Sequence, residues 1–170
     1  LEPDLPEAHR ALGDYYYRGH LDYELALKQF AIARKELPND SDLLSSIGFV
    51  QRRHGRWEEA LANLKRACEL DPLSNKITLD LADTFTLMRN YPEALRYYDK
   101  AISLAPDLPE AYNAKAWRYV CWEGSTEKAR AVLEEALRNM RSSEGSSVVN
   151  SLIELDVYEG NYQKALDGLS

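Results

Sequence analysis

The 170-residue sequence is poor in the side chains that catalysis and metal binding draw on, with two cysteines and three histidines. Cys68 and Cys121 form no Cys-x-x-Cys pair and no disulfide framework, so both are expected to be reduced packing residues. His9, His20 and His54 give no His-x-x-x-His spacing, so no metal is expected and His20 reads as an exposed turn residue. A glycine-rich phosphate loop, a His-Glu-x-x-His motif and a Gly-x-Ser-x-Gly elbow are all missing. The adjacent carboxylates Glu58 with Glu59 and Glu134 with Glu135 diverge on a helix and belong to a solvated face. Cys121 and His54 would have to meet from helices that are not neighbours, which removes the one thiol and base pairing on offer. These absences exclude an enzyme and imply no cofactor.

Two further shortages narrow the class. No run approaches the roughly 18 apolar residues of a membrane span, and the first residues carry no charged-then-apolar signal segment. A soluble, cytoplasmic chain is therefore expected. Positive charge is also short: the net charge is -7 and the pI about 5.1, which argues against nucleic acid or an anionic membrane as partner. Arg10, Arg18, Arg52 and Arg53 could oppose that reading, but Asp14, Asp83 and Glu110 stand among them.

What the chain does have is a period. From Ser41 to Pro72, Leu44, Ile47 and Gly48 mark one side of a first helix, and Trp57, Ala60, Leu61, Leu64 and Ala67 mark one side of a second, with Gly55 at the turn. The aromatic at Trp57 recurs as Tyr23, Tyr91 and Tyr162, and Ala60 recurs as Ala26, Ala94, Ala129 and Ala165. Pro38, Pro72 and Pro106 close copies at steps of 34 residues. Small Gly48 and Ala60 predict a close helix crossing.

This Leu-Gly, Tyr, Ala, aromatic, Ala and Pro pattern resembles the tetratricopeptide repeat family along essentially the whole chain. The resemblance implies an all-α, right-handed α-solenoid of antiparallel helix pairs. Repeats are expected at about 6–40, 41–74, 75–108 and 109–143, with a partial unit at 146–170, in one solenoid domain. Residues 1–5 resemble the end of a preceding repeat, so the chain is expected to belong to a longer repeat protein, with uncapped ends that self-associate weakly. In repeat one, Leu12, Gly13, Tyr16, Ala26, Phe30 and Ala33 form the expected packing set, and Tyr17 is expected to face the groove. One extra residue lengthens the turns of repeats one and four, where Ser125 or Thr126 caps the second helix. The Ser/Gly-rich stretch from Met140 to Ser147 reads as a looser joint. Beyond it Ile153 and Asp156 break the pattern, while Tyr162, Ala165 and Leu166 keep it.

The resemblance also implies a function. In such arrays the first helix of each repeat lines a concave groove, and transferring that register predicts a peptide-binding surface. It takes Arg10, Tyr17 and Arg18 from repeat one, Phe49, Arg52 and Arg53 from repeat two, Leu79, Asp83 and Leu87 from repeat three, and Asn113, Trp117 and Val120 from repeat four. Exposed apolar groups in a row mark binding surfaces, so a protein or peptide partner is expected. A family carboxylate clamp for chaperone C-termini is not, because its places hold Arg10, Asp14, Ser46, Lys76 and Asp80, or one repeat on, Ser45, Phe49, Asp80, Glu110 and Ala114. Acidic groups there repel a carboxylate. The leading expectation is an interaction module, the scaffold part of a bacterial regulatory or signalling protein. The alternative is a structural or self-association segment.

Overall fold

A computed structural model describes residues 5–140 and 145–168. Residues 1–4 of the tail expected at 1–5, and 141–144 of the Ser/Gly-rich joint, lie outside those residues. Ten helices and no strand occur among the described residues: α1 Pro6–His20, α2 Tyr23–Glu36, α3 Ser41–Arg53, α4 Trp57–Leu70, α5 Asn75–Leu87, α6 Tyr91–Leu104, α7 Pro109–Glu123, α8 Thr126–Asn139, α9 Ser146–Tyr158 and α10 Tyr162–Asp167. They fall into two compact units, Leu1–Thr84 and Phe85–Ser170.

Each hairpin turn is made the same way. One residue per turn takes a left-handed backbone, at Leu21 (φ 54°), Gly55 (82°), Arg89 (58°), Gly124 (66°) and Gly160 (78°). The next amide then reaches back to a carbonyl of the helix just ended, as Asp22 N to Tyr16 O at 3.1 Å and Ser125 N to Tyr119 O at 3.2 Å. Side chains then restart the chain: Asp22 accepts from Leu25 N, Asp40 from Leu43 N, Asn90 from Glu93 N and Ser125 from Lys128 N. Each such cap contributes about 1 kcal/mol. Of the two candidates for the α8 cap, Ser125 is the one used. The residue inserted in repeats one and four is taken up by the first helix, since α1 and α7 have 15 residues where α3, α5 and α9 have 13.

In the first unit, α1 packs on α2, α3 on α4, and both α1 and α2 touch α3. Ala26 and Ala33, like Ala60 and Ala67, are fully buried. Their seven-residue spacing puts two small residues on one face, so a neighbouring helix can approach along it. Two glycines complete the contact. A Cβ on Gly13 would lie 2.4 Å from Phe30 Cε1, and one on Gly48 would lie 2.8 Å from Leu64 Cγ and 3.1 Å from Ala60 O. Phe30, Leu43, Ile47 and Val50 fill the space left, and full burial of such a side chain contributes about 1.5–3 kcal/mol. Leu12, expected in this packing set, is instead exposed, because the contact with Phe30 is made by Gly13 beside it.

The second unit repeats the alanine pairs as Ala94 with Ala101 and Ala129 with Ala136. Its core gathers Tyr112, Ala116, Val120, Val132, Leu133, Val148 and Leu155 from α7, α8 and α9. Tyr112 is fully buried and accepts a hydrogen bond from Asn139 Nδ2 at 2.9 Å. The fifth repeat departs from expectation in two ways. Tyr162 and Leu166 match the sequence pattern but are exposed, since α10 has six residues and buries Ala165 alone. Asp156, where an aromatic was expected, is buried and held by Arg130 Nη2 at 2.6 Å and Lys164 Nζ at 3.1 Å. Cys68 is buried as expected, whereas Cys121 is exposed, on the side of α7 away from Val120 and Ala116.

Candidate functional site

The first helices of the first unit enclose an open pocket of about 450 Å³ between α1, α3 and α5. Its position follows from the turns and the glycine contacts, which pin the second helices and leave one face of α1, α3 and α5 uncovered. Ser45 and Val50 are deepest, each 1% exposed. Tyr17, Phe49, Asp14, Ser46 and Asp80 form the walls, and Arg18, Leu21 and Lys76 the rim. The rings of Tyr17 and Phe49 meet edge to face with centroids 5.7 Å apart, and Tyr17 continues to Tyr23 at 6.1 Å.

Phe49 is fixed by cations. The Arg52 guanidinium lies 4.5 Å from its ring centroid and that of Arg53 lies 5.5 Å away. Arg52 was expected as a groove cation and is instead internal, 6% exposed, with Nη1 donating to Asp80 O at 3.2 Å and Thr84 Oγ1 at 3.1 Å. Its burial comes from α5, whose carbonyl and hydroxyl reach the guanidinium. Arg53 and Arg18 are exposed. Arg10 is engaged elsewhere, 3.6 Å from Asp40 and 3.8 Å from Asp42.

Asp80 has the least usual setting. Ser45 Oγ donates to its Oδ2 at 3.3 Å. Burial pushes its carboxyl above the ordinary value, and the attraction of Lys76 and Arg52 with the Ser45 hydrogen bond does not offset that, while Asp83 adds to it. Asp80, Lys76 and Ser45 were not among the named peptide-binding residues, although all three occupy clamp places in the sequence register and Lys76 and Ser45 have inward-facing positions on their helices. That register was the signal that could have located them.

The remaining expected residues are dispersed. Leu79 is half-buried and Asp83 exposed on α5, and Leu87 is exposed in the second unit. There, Asn113 Nδ2 donates to Ser147 Oγ at 3.3 Å, while its Oδ1 is buried without a hydrogen-bond partner. Trp117 is half-buried against the core, and Val120 belongs to that core, 8% exposed, because α8 covers it. Val120 is thus a packing residue and not a groove residue. Among the described residues no three His, Cys, Asp or Glu side chains group as metal ligands, and no helix is long and apolar enough to cross a membrane.

Paired helices with buried alanines, left-handed turns at a period near 34 residues and an uncovered first-helix face define a helical-hairpin repeat protein. A tetratricopeptide repeat family model matches residues 10–75 and again 47–109, and the chain belongs to that family, whose fold is in general a scaffold for protein interaction. It is 29% identical over 119 residues to BBSome complex member BBS4 of Bos taurus, covering 70% of this chain and 23% of that protein. It is 28% identical over 144 residues to Protein FlbA of Caulobacter vibrioides, covering 85% of this chain and 24% of the other. The chain thus spans about a quarter of the length of the curated relatives it matches. Among solved structures, a MamA protein from Desulfovibrio magneticus superposes with a TM-score of 0.74 at 18% identity, covering 96% of this chain and 90% of the other. A thermophilic TPR protein of Thermus thermophilus gives 0.71 at 23% identity, covering 96% and 87%. At these identities the structures speak for the fold alone.

Proposed function

We propose that the chain is a protein-interaction module that binds an extended or helical segment of a partner on the first-helix face, with the pocket of the first unit as its anchor. The observation that carries this reading is the pocket: two aromatic rings and a half-buried carboxyl line one concavity open to solvent between α1, α3 and α5. Leu21 supports it. It is 66% exposed and stands on the pocket rim. Asn113 and Trp117 are proposed to serve the same face of the second unit. A role in a bacterial regulatory or signalling protein is part of this proposal; the likeness to a Caulobacter protein favours no more than a bacterial source, and the comparable likeness to a bovine protein weighs against it.

The test is binding of fluorescein-labelled peptides selected from a random dodecapeptide library. Leu21→Ser and Lys76→Glu, both on the rim, are expected to weaken binding by about 1–3 kcal/mol. Glu58→Lys, on the exposed side of α4, is expected to leave it unchanged. Peptides indifferent to the rim but sensitive to α4 would place the binding surface elsewhere.

A second reading, self-association, has its own observation: Tyr158, Tyr162 and Leu166 are each more than 60% exposed at α9 and α10. Light scattering over a range of concentrations separates the two, with a monomer expected for the first and a discrete oligomer for the second.

A further inference from the structure

The pocket separates its charges by depth, and that separation specifies the side chain that fits. Asp80 and Asp14 lie in the walls, half-buried, while Arg18 and Lys76 lie exposed at the rim. Neither carboxylate has a cation within ion-pairing distance among the described residues. Lys76 and Arg52 attract the Asp80 carboxyl without pairing with it, and Arg52 gives its Nη1 to the backbone oxygen of Asp80 and to Thr84, not to the carboxylate. Among the described residues the only hydrogen bond on the Asp80 carboxyl is the 3.3 Å one from Ser45 Oγ, and Asp14 has none. A carboxylate withdrawn from water without a counter-charge is unfavourable, and a cation brought to it by a ligand relieves that.

Resting on the groove reading above, we infer that the pocket accepts one lysine or arginine side chain of the partner segment, with its aliphatic stem against Tyr17 and Phe49 and its cation on Asp80 and Asp14. The apolar part suits the walls, since long basic side chains lay their methylenes on apolar surface and keep the head polar. An acidic anchor would meet both carboxylates, and a purely apolar one would leave them dehydrated and unpaired. The net charge of -7 favours a basic partner at long range. Arg18 and Lys76 then set the selectivity: they repel a second basic residue and attract an acidic one beside the anchor. The motif is therefore an isolated basic residue with an acidic neighbour, which distinguishes it from the general attraction of an acidic protein for polycations.

The experiment pans a random dodecapeptide library on the wild-type chain and on the Asp14→Asn/Asp80→Asn variant, with thermal melts of both and of Asp14→Asn alone as a control of folding. The wild-type pool is expected to show one dominant basic position, absent from the double-variant pool. Replacing that residue by norleucine in a labelled peptide is expected to weaken binding about 10-fold on the wild type and less than about 2-fold on the variant. An enriched pool without a basic position, or a basic preference equal on both proteins, overturns this inference and leaves the groove reading standing. A pool with no enrichment at all, or affinities indifferent to Leu21→Ser and Lys76→Glu, overturns the groove reading and this inference with it.

Discussion

Asp80 in the first unit and Asp156 in the second are both withdrawn from solvent, and their surroundings treat them in opposite ways. Asp156 joins three helices: Arg130 reaches it from α8 at 2.6 Å and Lys164 from α10 at 3.1 Å, and the same Arg130 nitrogen is 2.7 Å from Glu159. Burial alone would push the Asp156 carboxyl up, but the hydrogen bonds and charges of Lys164 and Arg130 together hold it below its ordinary value. Glu159 is likewise held low, by hydrogen bonds from Thr126 and Arg130. Asp80 receives a single hydroxyl and stands above its ordinary value because of burial. A carboxylate that serves the fold is supplied with cations by its own chain. One left short of them, at the wall of a pocket, is suited to a cation from another molecule, and such sites commonly reduce stability for the sake of function.

Packing rather than charge should give the largest effect, which sets the scale for that comparison. Gly48→Leu drives a side chain into Leu64 and the Ala60 carbonyl and is expected to cost about 3 kcal/mol, read from urea unfolding. Stripping Asp156 of its main partner makes it resemble Asp80. Arg130→Ala is expected to cost about 2 kcal/mol, below the usual figure for breaking a buried pair because Lys164 remains. An unchanged midpoint would show that the cluster is no more than a surface ion pair.

The smaller effects separate the two carboxylates by sign. Asp156 and Glu159, with folded values below the unfolded ones, contribute stability that is present above the unfolded value and lost as pH falls through the folded one. Asp80, with a raised value, costs stability once ionised, so mild acidification through that value should recover it. Urea midpoints from neutral pH down to about pH 2 should therefore lose the Asp80 share of any mildly acid rise in Asp80→Asn, and show a smaller strongly acid fall in Asp156→Asn, the part from Glu159 remaining. At neutral pH, Asp80→Asn is expected to raise the melting temperature slightly, by less than about 1 kcal/mol in stability. A fall would mean that Asp80 already has what it needs.

Much of the helical scaffold was legible because its signals are local. The alanine pairs, the cap at Ser125 and the turn glycines act within one hairpin, so a period in the sequence is enough to find them. The pocket was legible only by register, and register assigns a residue to a face without saying what covers it. Arg52 and Val120 have groove positions on their helices, but Arg52 is covered by α5 of the next hairpin and Val120 packs with α8 of its own. The buried polar set on α3 and α4 was invisible although it lies within one hairpin, because an apolar period does not pair polar side chains: Asn63 Nδ2 donates to Gln51 Oε1 at 2.8 Å, and Gln51 Nε2 to Glu59 at 3.0 Å. Nothing in the neighbours of Gln51 announces that pairing. Asp156 failed differently, since a pattern that asks for an aromatic does not foresee that two cations can make a carboxylate fill the same place.

The left-handed residue in every turn fixes where this chain can change length. Leu21, Gly55, Arg89, Gly124 and Gly160 follow one another at 34, 34, 35 and 36 residues, so the interval drifts while the turn itself is retained. In repeats one and four the added residue is absorbed as helix before the turn, where it extends α1 or α7 and leaves the buried alanine pair of the second helix in phase, whereas α9 keeps 13 residues. An insertion inside α2 or α4 would instead rotate every following contact by about 100° and turn alanines outward. The turn thus works as punctuation that lets the repeats lengthen without being misread.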